Sequence, residues 1–219
     1  MKLSENTIDV LKNFATINQS ILFTEGSELN TMSVQKNLLG SATVKETFPK
    51  EVAIYDLNEF LSTVSLFDDP DLEFGDKSVT ITDGNSSTTY WFADKEIIVY
   101  PTSKIEMPET EVDFTLTSDV LDKLKRATGT LSVPDMVIRN EDGKIMAEVL
   151  DKRNDTTNTY SIEVGDYDGD ANFRFYFLTE RLKMLQNDYV VNISSKNISK
   201  FTSGDLTYWI ALEQDSSYE

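Results

Sequence analysis

The 219-residue chain contains neither cysteine nor histidine. Without cysteine there are no disulfides, no thiolate metal ligands and no thiol nucleophile. Without histidine there is no Ser-His relay and no side chain that ordinarily titrates near neutral pH. Only carboxylate, hydroxyl and amine chemistry remain. Tryptophan occurs twice and proline five times. Long apolar runs are also missing: no stretch approaches the roughly 20 residues that span a membrane. The opening MKLSENTIDVLKNF has neither the apolar core nor the small-residue cleavage site of a signal peptide. We therefore expect a soluble protein of a reducing cytoplasm, in which the sequon Asn85-Ser86-Ser87 carries no weight. No G-x-x-x-x-G-K-[ST] or G-x-G-x-x-G segment occurs, so nucleotide chemistry has no support. We expect no cofactor.

Positive charge is scarce as well. Twenty Lys and Arg face 38 Asp and Glu, a formal net charge of −18. A protein that grips nucleic acid with its whole surface needs the opposite balance, because that affinity comes from cations displacing counterions at phosphates. What matters is where the basic residues sit. Hydrophobic residues, at 39%, suffice to bury a core.

Four stretches have helical periodicity: Glu5 to Ala15, Asp56 to Phe67, Ser118 to Ala127 and Thr179 to Asn187. They start about 50 to 60 residues apart, which suggests an internal repeat. Each follows a strand-like segment and precedes several more, so each unit reads βαβββ. Asp83-Gly84-Asn85, Asp142-Gly143 and Ser203-Gly204 fall where hairpins must reverse. The Pro-punctuated stretch from Ile97 to Pro108 suits an extended connector. This yields an α+β fold of two similar domains, 1–100 and 111–219, joined by a connector at 101–110, with helices on one face of antiparallel sheets.

On a helical wheel the first helix turns Val10, Leu11, Phe14 and Ala15 inward and Asp9, Lys12 and Asn13 outward. The second presents Asn58 and Ser62. In the third, Val120, Leu121, Leu124 and Ala127 form the apolar face, with Asp122, Lys125 and Arg126 opposite and Lys123 flanking. In the fourth, Leu178, Leu182 and Leu185 go inward, and Lys183 and Asn187 outward. The helices thus hold Lys12, Lys123, Lys125, Arg126, Arg181 and Lys183 nearly in balance with their acids, while the excess negative charge falls on strands and loops.

Two acidic clusters invite other readings. Asp166-Tyr167-Asp168-Gly169-Asp170 has the alternation of a calcium loop, but Ala171 stands where that loop needs glycine and Phe177 where it needs a bidentate Glu. An acidic turn fits better, and Asp68-Asp69-Pro70-Asp71 reads as a solvated turn. Trp91, Tyr90, Phe92, Tyr208 and Trp209 lie in alternating strands, where aromatics commonly pack. An acidic DNA mimic or a β-rich virion component would also suit the composition; neither needs a fourfold repeat with basic helix faces.

Several segments resemble the sliding clamps of T-even bacteriophages at the same relative places: MKLSENTIDVLKNFATIN, Val52-Ala53-Ile54-Tyr55-Asp56-Leu57-Asn58 with Phe60-Leu61, Val164-Gly165-Asp166-Tyr167-Asp168-Gly169, and Ile210-Ala211-Leu212-Glu213-Gln214-Asp215-Ser216. The resemblance implies the DNA clamp fold and a non-catalytic homotrimeric ring acting in the infected bacterial host. The ring would encircle duplex DNA and tether a polymerase to it, with helices lining the hole and Lys12, Lys123, Lys125, Arg126, Arg181 and Lys183 toward the DNA. It implies an ATP-dependent clamp loader, a replicative polymerase that binds by a C-terminal peptide, and a late-transcription role with a sigma-like factor. By analogy with clamps, the peptide pocket is expected at Val34, Ile98, Tyr100 and Leu212. The subunit interface is expected where Trp91 meets the edge at Thr157, Thr159 and Ser161.

Overall fold

Three short polar residues decide where the helices begin. A computed structural model describes residues 1–219. Ser4, Asp56 and Thr117 each sit in extended backbone, with a side-chain oxygen accepting a backbone N–H three residues on. They cap α1 (Glu5–Ile17), α2 (Leu57–Val64) and α3 (Ser118–Leu131). The third helix runs past its expected end at Ala127, through Gly129, and stops at Ser132, which is left-handed at φ +54°.

The chain divides into two compact units between Lys104 and Ile105, within the stretch expected as a connector. In the first, β1 (Ile21–Phe23), β2 (Gly26–Met32), β3 (Leu38–Phe48) and β4 (Val52–Ile54) pair antiparallel in the order β4-β1-β2-β3. A second sheet orders β5 (Asp71–Phe74), β6 (Ser78–Asp83) and β7 (Ser86–Trp91) sequentially. Phe14 of α1 is fully buried over Gly40, where an added Cβ would lie 2.8 Å from its ring. A side chain there has no room. Phe23, Phe48, Phe60 and Tyr90 continue the core as an aromatic chain, with ring centroids 4.6 to 6.0 Å apart.

In the second unit, β8 (Val112–Leu116), β13 (Tyr189–Ser194), β14 (Ile198–Ser203) and β15 (Leu206–Ala211) form one antiparallel sheet, ordered β15-β14-β13-β8. The other orders β11 (Tyr160–Asp166), β10 (Lys144–Leu150), β9 (Asp135–Glu141), β12 (Phe173–Leu178) and the two-residue β16 (Ser217–Tyr218). Asp142 and Gly143 both take positive φ, so the β9–β10 hairpin closes on a turn matched to strand twist. The acidic run after β11 is a loop that lays Tyr167 edge-on against Phe173, 4.9 Å between centroids.

The fourth expected helix does not form. After β12 the chain makes one 3₁₀ turn (Thr179–Arg181) and then runs to Asp188 without regular structure. Its backbone is held from outside. Lys125 Nζ donates to Met184 O at 2.8 Å, Tyr189 Oη donates to Leu185 O at 2.7 Å, and Leu185 N donates to Tyr208 Oη at 3.4 Å. These bonds replace the i to i−4 ladder that a short, isolated helix could not maintain.

Candidate functional site

The expected DNA-facing residues divide by environment. Val10, Leu11 and Phe14 of α1 are buried and Ala15 is half-buried; Lys12 is exposed on the opposite side. On α2, Asn58 and Ser62 are exposed. On α3, Leu121 and Leu124 are buried while Val120 and Ala127 are only half-buried. Lys123 Nζ lies 2.6 Å from Asp119 Oδ2, and Arg126 Nε lies 2.8 Å from Asp122 Oδ2, each acid one helical turn before its base. The Asp119 hydrogen bond, rather than burial, sets the Lys123 ammonium above its ordinary pKa.

Lys125 departs from the wheel. It is half-buried, burial lowers its pKa, and its ammonium is committed to the Met184 carbonyl. Arg181 is withdrawn too: its side chain is 15% exposed, one guanidinium nitrogen lies 2.7 Å from Glu213 Oε1, and the same nitrogen donates to Ala211 O. Lys183 is exposed on the irregular segment. Lys12, Lys123, Arg126 and Lys183 are therefore on the surface, whereas Lys125 and Arg181 serve internal bonds.

The expected peptide-pocket residues lie in different local surroundings. Ile98 is buried with Leu22 and Ala53, and Tyr100 and Ala93 pack against them. Asn18 fixes this strip by donating from Nδ2 to both Met32 O (2.8 Å) and Val99 O (2.9 Å). Lys95 Nζ stands 5.2 Å above the Tyr100 ring. Val34 belongs to a separate turn and is 70% exposed, while Leu212 lies in the second unit and is buried. Nothing in local sequence marks Asn18 as an anchor, since its partners lie 14 and 81 residues away.

Strand edges differ in how they are covered. The outer edge of β5 is closed by Met1, whose backbone exchanges hydrogen bonds with Leu72. The edge of β4 is closed where Ala93 N donates to Ala53 O at 2.9 Å. β7 and β11 each pair on one side only, and most of their side chains are partly or fully exposed. Trp91, at the end of β7, is 69% exposed. Thr159 and Ser161 are exposed at the start of β11, and Thr157 is half-buried just before it. Beside this edge lies an open cleft of about 320 Å³, lined by Lys123, Arg126, Ala127, Thr130 and Leu131 of α3 with Thr159 and Tyr160.

Comparison with known proteins decides what this scaffold is. The family described as "DNA polymerase processivity factor" matches residues 2–100, and the family described as "gp45 sliding clamp, C terminal" matches residues 113–214. The sliding clamp of Vibrio phage KVP40 is 37% identical over 97% of this chain and 99% of its own length. Those of Escherichia phage RB69 and Enterobacteria phage T4 are 37% and 32% identical, with both chains covered completely. The chain belongs to the sliding clamps of T4-like bacteriophages. As a sliding clamp it is a DNA polymerase processivity factor, a family that is generally non-catalytic. That membership sets aside the acidic mimic and the virion component.

The fold extends well beyond phages. The structure "C-terminal region of FEN-1 bound to A. fulgidus PCNA" superposes with a TM-score of 0.71 at 12% identity, over 96% of both chains. A Helicobacter pylori beta clamp bound to a DNA ligase peptide gives 0.71 at 14% identity, over 97% of this chain and 65% of that one. The Pseudomonas aeruginosa DNA polymerase III beta subunit gives 0.65 at 14%, and this chain spans 61% of its length. At such identities the likeness concerns the clamp fold alone. No helix is long and apolar enough to cross a membrane.

Proposed function

We propose that three copies of this sliding clamp close head to tail into a ring around duplex DNA, with the outer faces of α1, α2, α3 and the 182–188 segment turned to the hole. The ring tethers the replicative polymerase and has no catalytic activity of its own. An ATP-dependent loader places it on DNA, the polymerase holds it by a C-terminal peptide, and a sigma-like factor uses it in late transcription, all within the infected bacterial cell. The observation that carries this reading is the match to phage sliding clamps along the entire chain.

The site geometry supports it in three ways. The exposed helix faces carry few cations, most of them balanced by acids, which suits enclosure rather than grip; a ring retained by topology does not need affinity. The open edges of β7 and β11 would each gain a partner in a head-to-tail closure, the usual relief for an exposed strand edge. The buried strip at Ile98 and Tyr100 is the favoured place for the polymerase peptide. Peptides bound to the archaeal and H. pylori clamps make such an occupant reasonable.

The test combines native mass spectrometry with primer extension by the cognate loader and polymerase. The full chain should give a trimer mass and lengthen the products. Replacing Lys12 and Arg126 with Glu should shorten products more than the same change at the exposed Lys77 and Lys196, with the difference narrowing as salt rises. A monomer at every concentration, or two pairs behaving alike, would reject the ring or its DNA-facing surface respectively.

A further inference from the structure

The surface of α3 carries its positive charge in an unusual state. Of its three cations, Lys125 is spent on the Met184 carbonyl. The other two, Lys123 and Arg126, are each engaged by a carboxylate one turn earlier, Asp119 and Asp122. Acid before base at i, i+4 is the favourable orientation for such pairs, so the acids are well placed to hold the cations. All four side chains remain substantially exposed, from 41% for Lys123 to 71% for Asp119, so each pair is open to exchange with another anion.

We propose that Asp119 and Asp122 are tuning residues for the sliding contact: they compete with DNA phosphates for Lys123 and Arg126, keeping the hold on duplex weak enough for movement. This rests on the reading that α3 faces the DNA. Exposed helix pairs favour the closed form by a factor of about two or less, so a phosphate can displace the carboxylate but gains less than it would from a bare cation. A displaced carboxylate also recovers its own counterion. Fewer ions are then released in total, and the salt dependence of binding is shallower than the number of cations would suggest. In a closed trimer each pair would occur three times, which multiplies a small local effect.

The competing explanation is that the acids serve only the helix, Asp119 by its position in the first turn. Salt dependence separates the two roles, because a purely structural acid leaves the ion count of DNA binding unchanged. Equilibrium binding of the full-length protein to a short duplex DNA is measured at low and at physiological salt, with thermal unfolding alongside. The protein with Asp119→Asn and Asp122→Asn should bind several-fold tighter at low salt, with a steeper slope of log affinity against log salt and a gain that shrinks at physiological salt. Asp142→Asn with Asp205→Asn, the same charge change in two exposed hairpin turns, should leave the slope unaltered. If the Asp119/Asp122 variant binds like wild type while Lys123→Gln with Arg126→Gln weakens binding, the cations touch DNA without competition and the proposal fails alone. If the Lys123/Arg126 variant is also without effect, α3 does not meet the DNA and both readings fall.

Discussion

Lys125 and Arg126 are neighbours with opposite assignments. Wheel geometry places both on the outer face of α3, and the exposed guanidinium of Arg126 agrees with it. The lysine stem instead folds down until the ammonium meets the Met184 carbonyl, in an environment whose burial lowers its pKa. A long aliphatic stem allows that reach, so sequence spacing alone does not settle where a lysine head group ends. Replacing Lys125 with Glu removes a donor from a partly buried carbonyl and sets a carboxylate against it, at a cost of about 1 to 3 kcal/mol. The loss should appear as faster amide exchange confined to Leu182 through Asp188. Replacing Arg126 with Glu breaks only an exposed pair and should shift stability by no more than about 0.5 kcal/mol, with exchange in that segment unchanged.

At the scale of elements, α1 shows how an N-terminus can be reinforced from a distant strand. Ser4 caps the helix, and Glu46 of β3 accepts from both the Ser4 backbone N–H and the Thr7 hydroxyl. Burial pushes the Glu46 carboxyl upward, but those hydrogen bonds to its ionised form outweigh burial and leave it below its ordinary 4.5. A carboxyl depressed on folding contributes stability above its unfolded pKa and loses that contribution as pH falls through the folded value. Glu46→Gln should therefore be less stable than wild type at neutral pH, with the gap closing below about pH 4. Urea unfolding at several pH values checks this, and Ser4→Ala should cost about 1 kcal/mol with little pH dependence.

Alternation and turn residues carry the strands plainly. Val112–Leu116, Lys144–Leu150 and Tyr189–Ser194 form strands β8, β10 and β13 with residues largely buried at every second position, and Gly84, Gly143 and Gly204 sit in the turns with positive φ. The fourth helix was not legible because Leu178, Leu182 and Leu185 do have helical spacing. What decides against it are partners remote in sequence: the Tyr208 hydroxyl accepts the Leu185 N–H and Lys125 takes the Met184 carbonyl. β16 went unseen for a different reason. Two residues hold no periodicity, and Ser217–Tyr218 becomes a strand only by pairing with Phe173 and Arg174. Surface exposure was legible in part: Lys12, Lys123 and Arg126 lie on the outer faces of their helices, Lys183 is exposed although its helix does not form, and Arg181 is drawn inward by Glu213.

For the whole molecule, the decisive contrast is between covered and uncovered edges. Within the first unit β4 and β5 end against Ala93 and Met1, and only β7 of the second sheet is left able to accept another strand. Within the second unit β11 is open on its outer side and borders the cleft beside α3. An edge rich in Ser and Thr that ends in an exposed tryptophan offers backbone pairing and one large apolar contact, the composition of a small interface with a central anchor. Trp91→Asp should remove that anchor and, in the proposed ring, place a charge where a second copy would dock. Sedimentation should then show monomer at concentrations where the wild type forms the proposed trimer, with unfolding shifted by no more than about 0.5 kcal/mol, because the side chain makes little use of its own fold. Pairing of β7 with β11 also requires that Ser161→Pro, which deletes an N–H from the opposite edge, weaken assembly in the same direction. A Trp91→Asp protein that still sediments as a trimer would move the subunit interface away from these two edges.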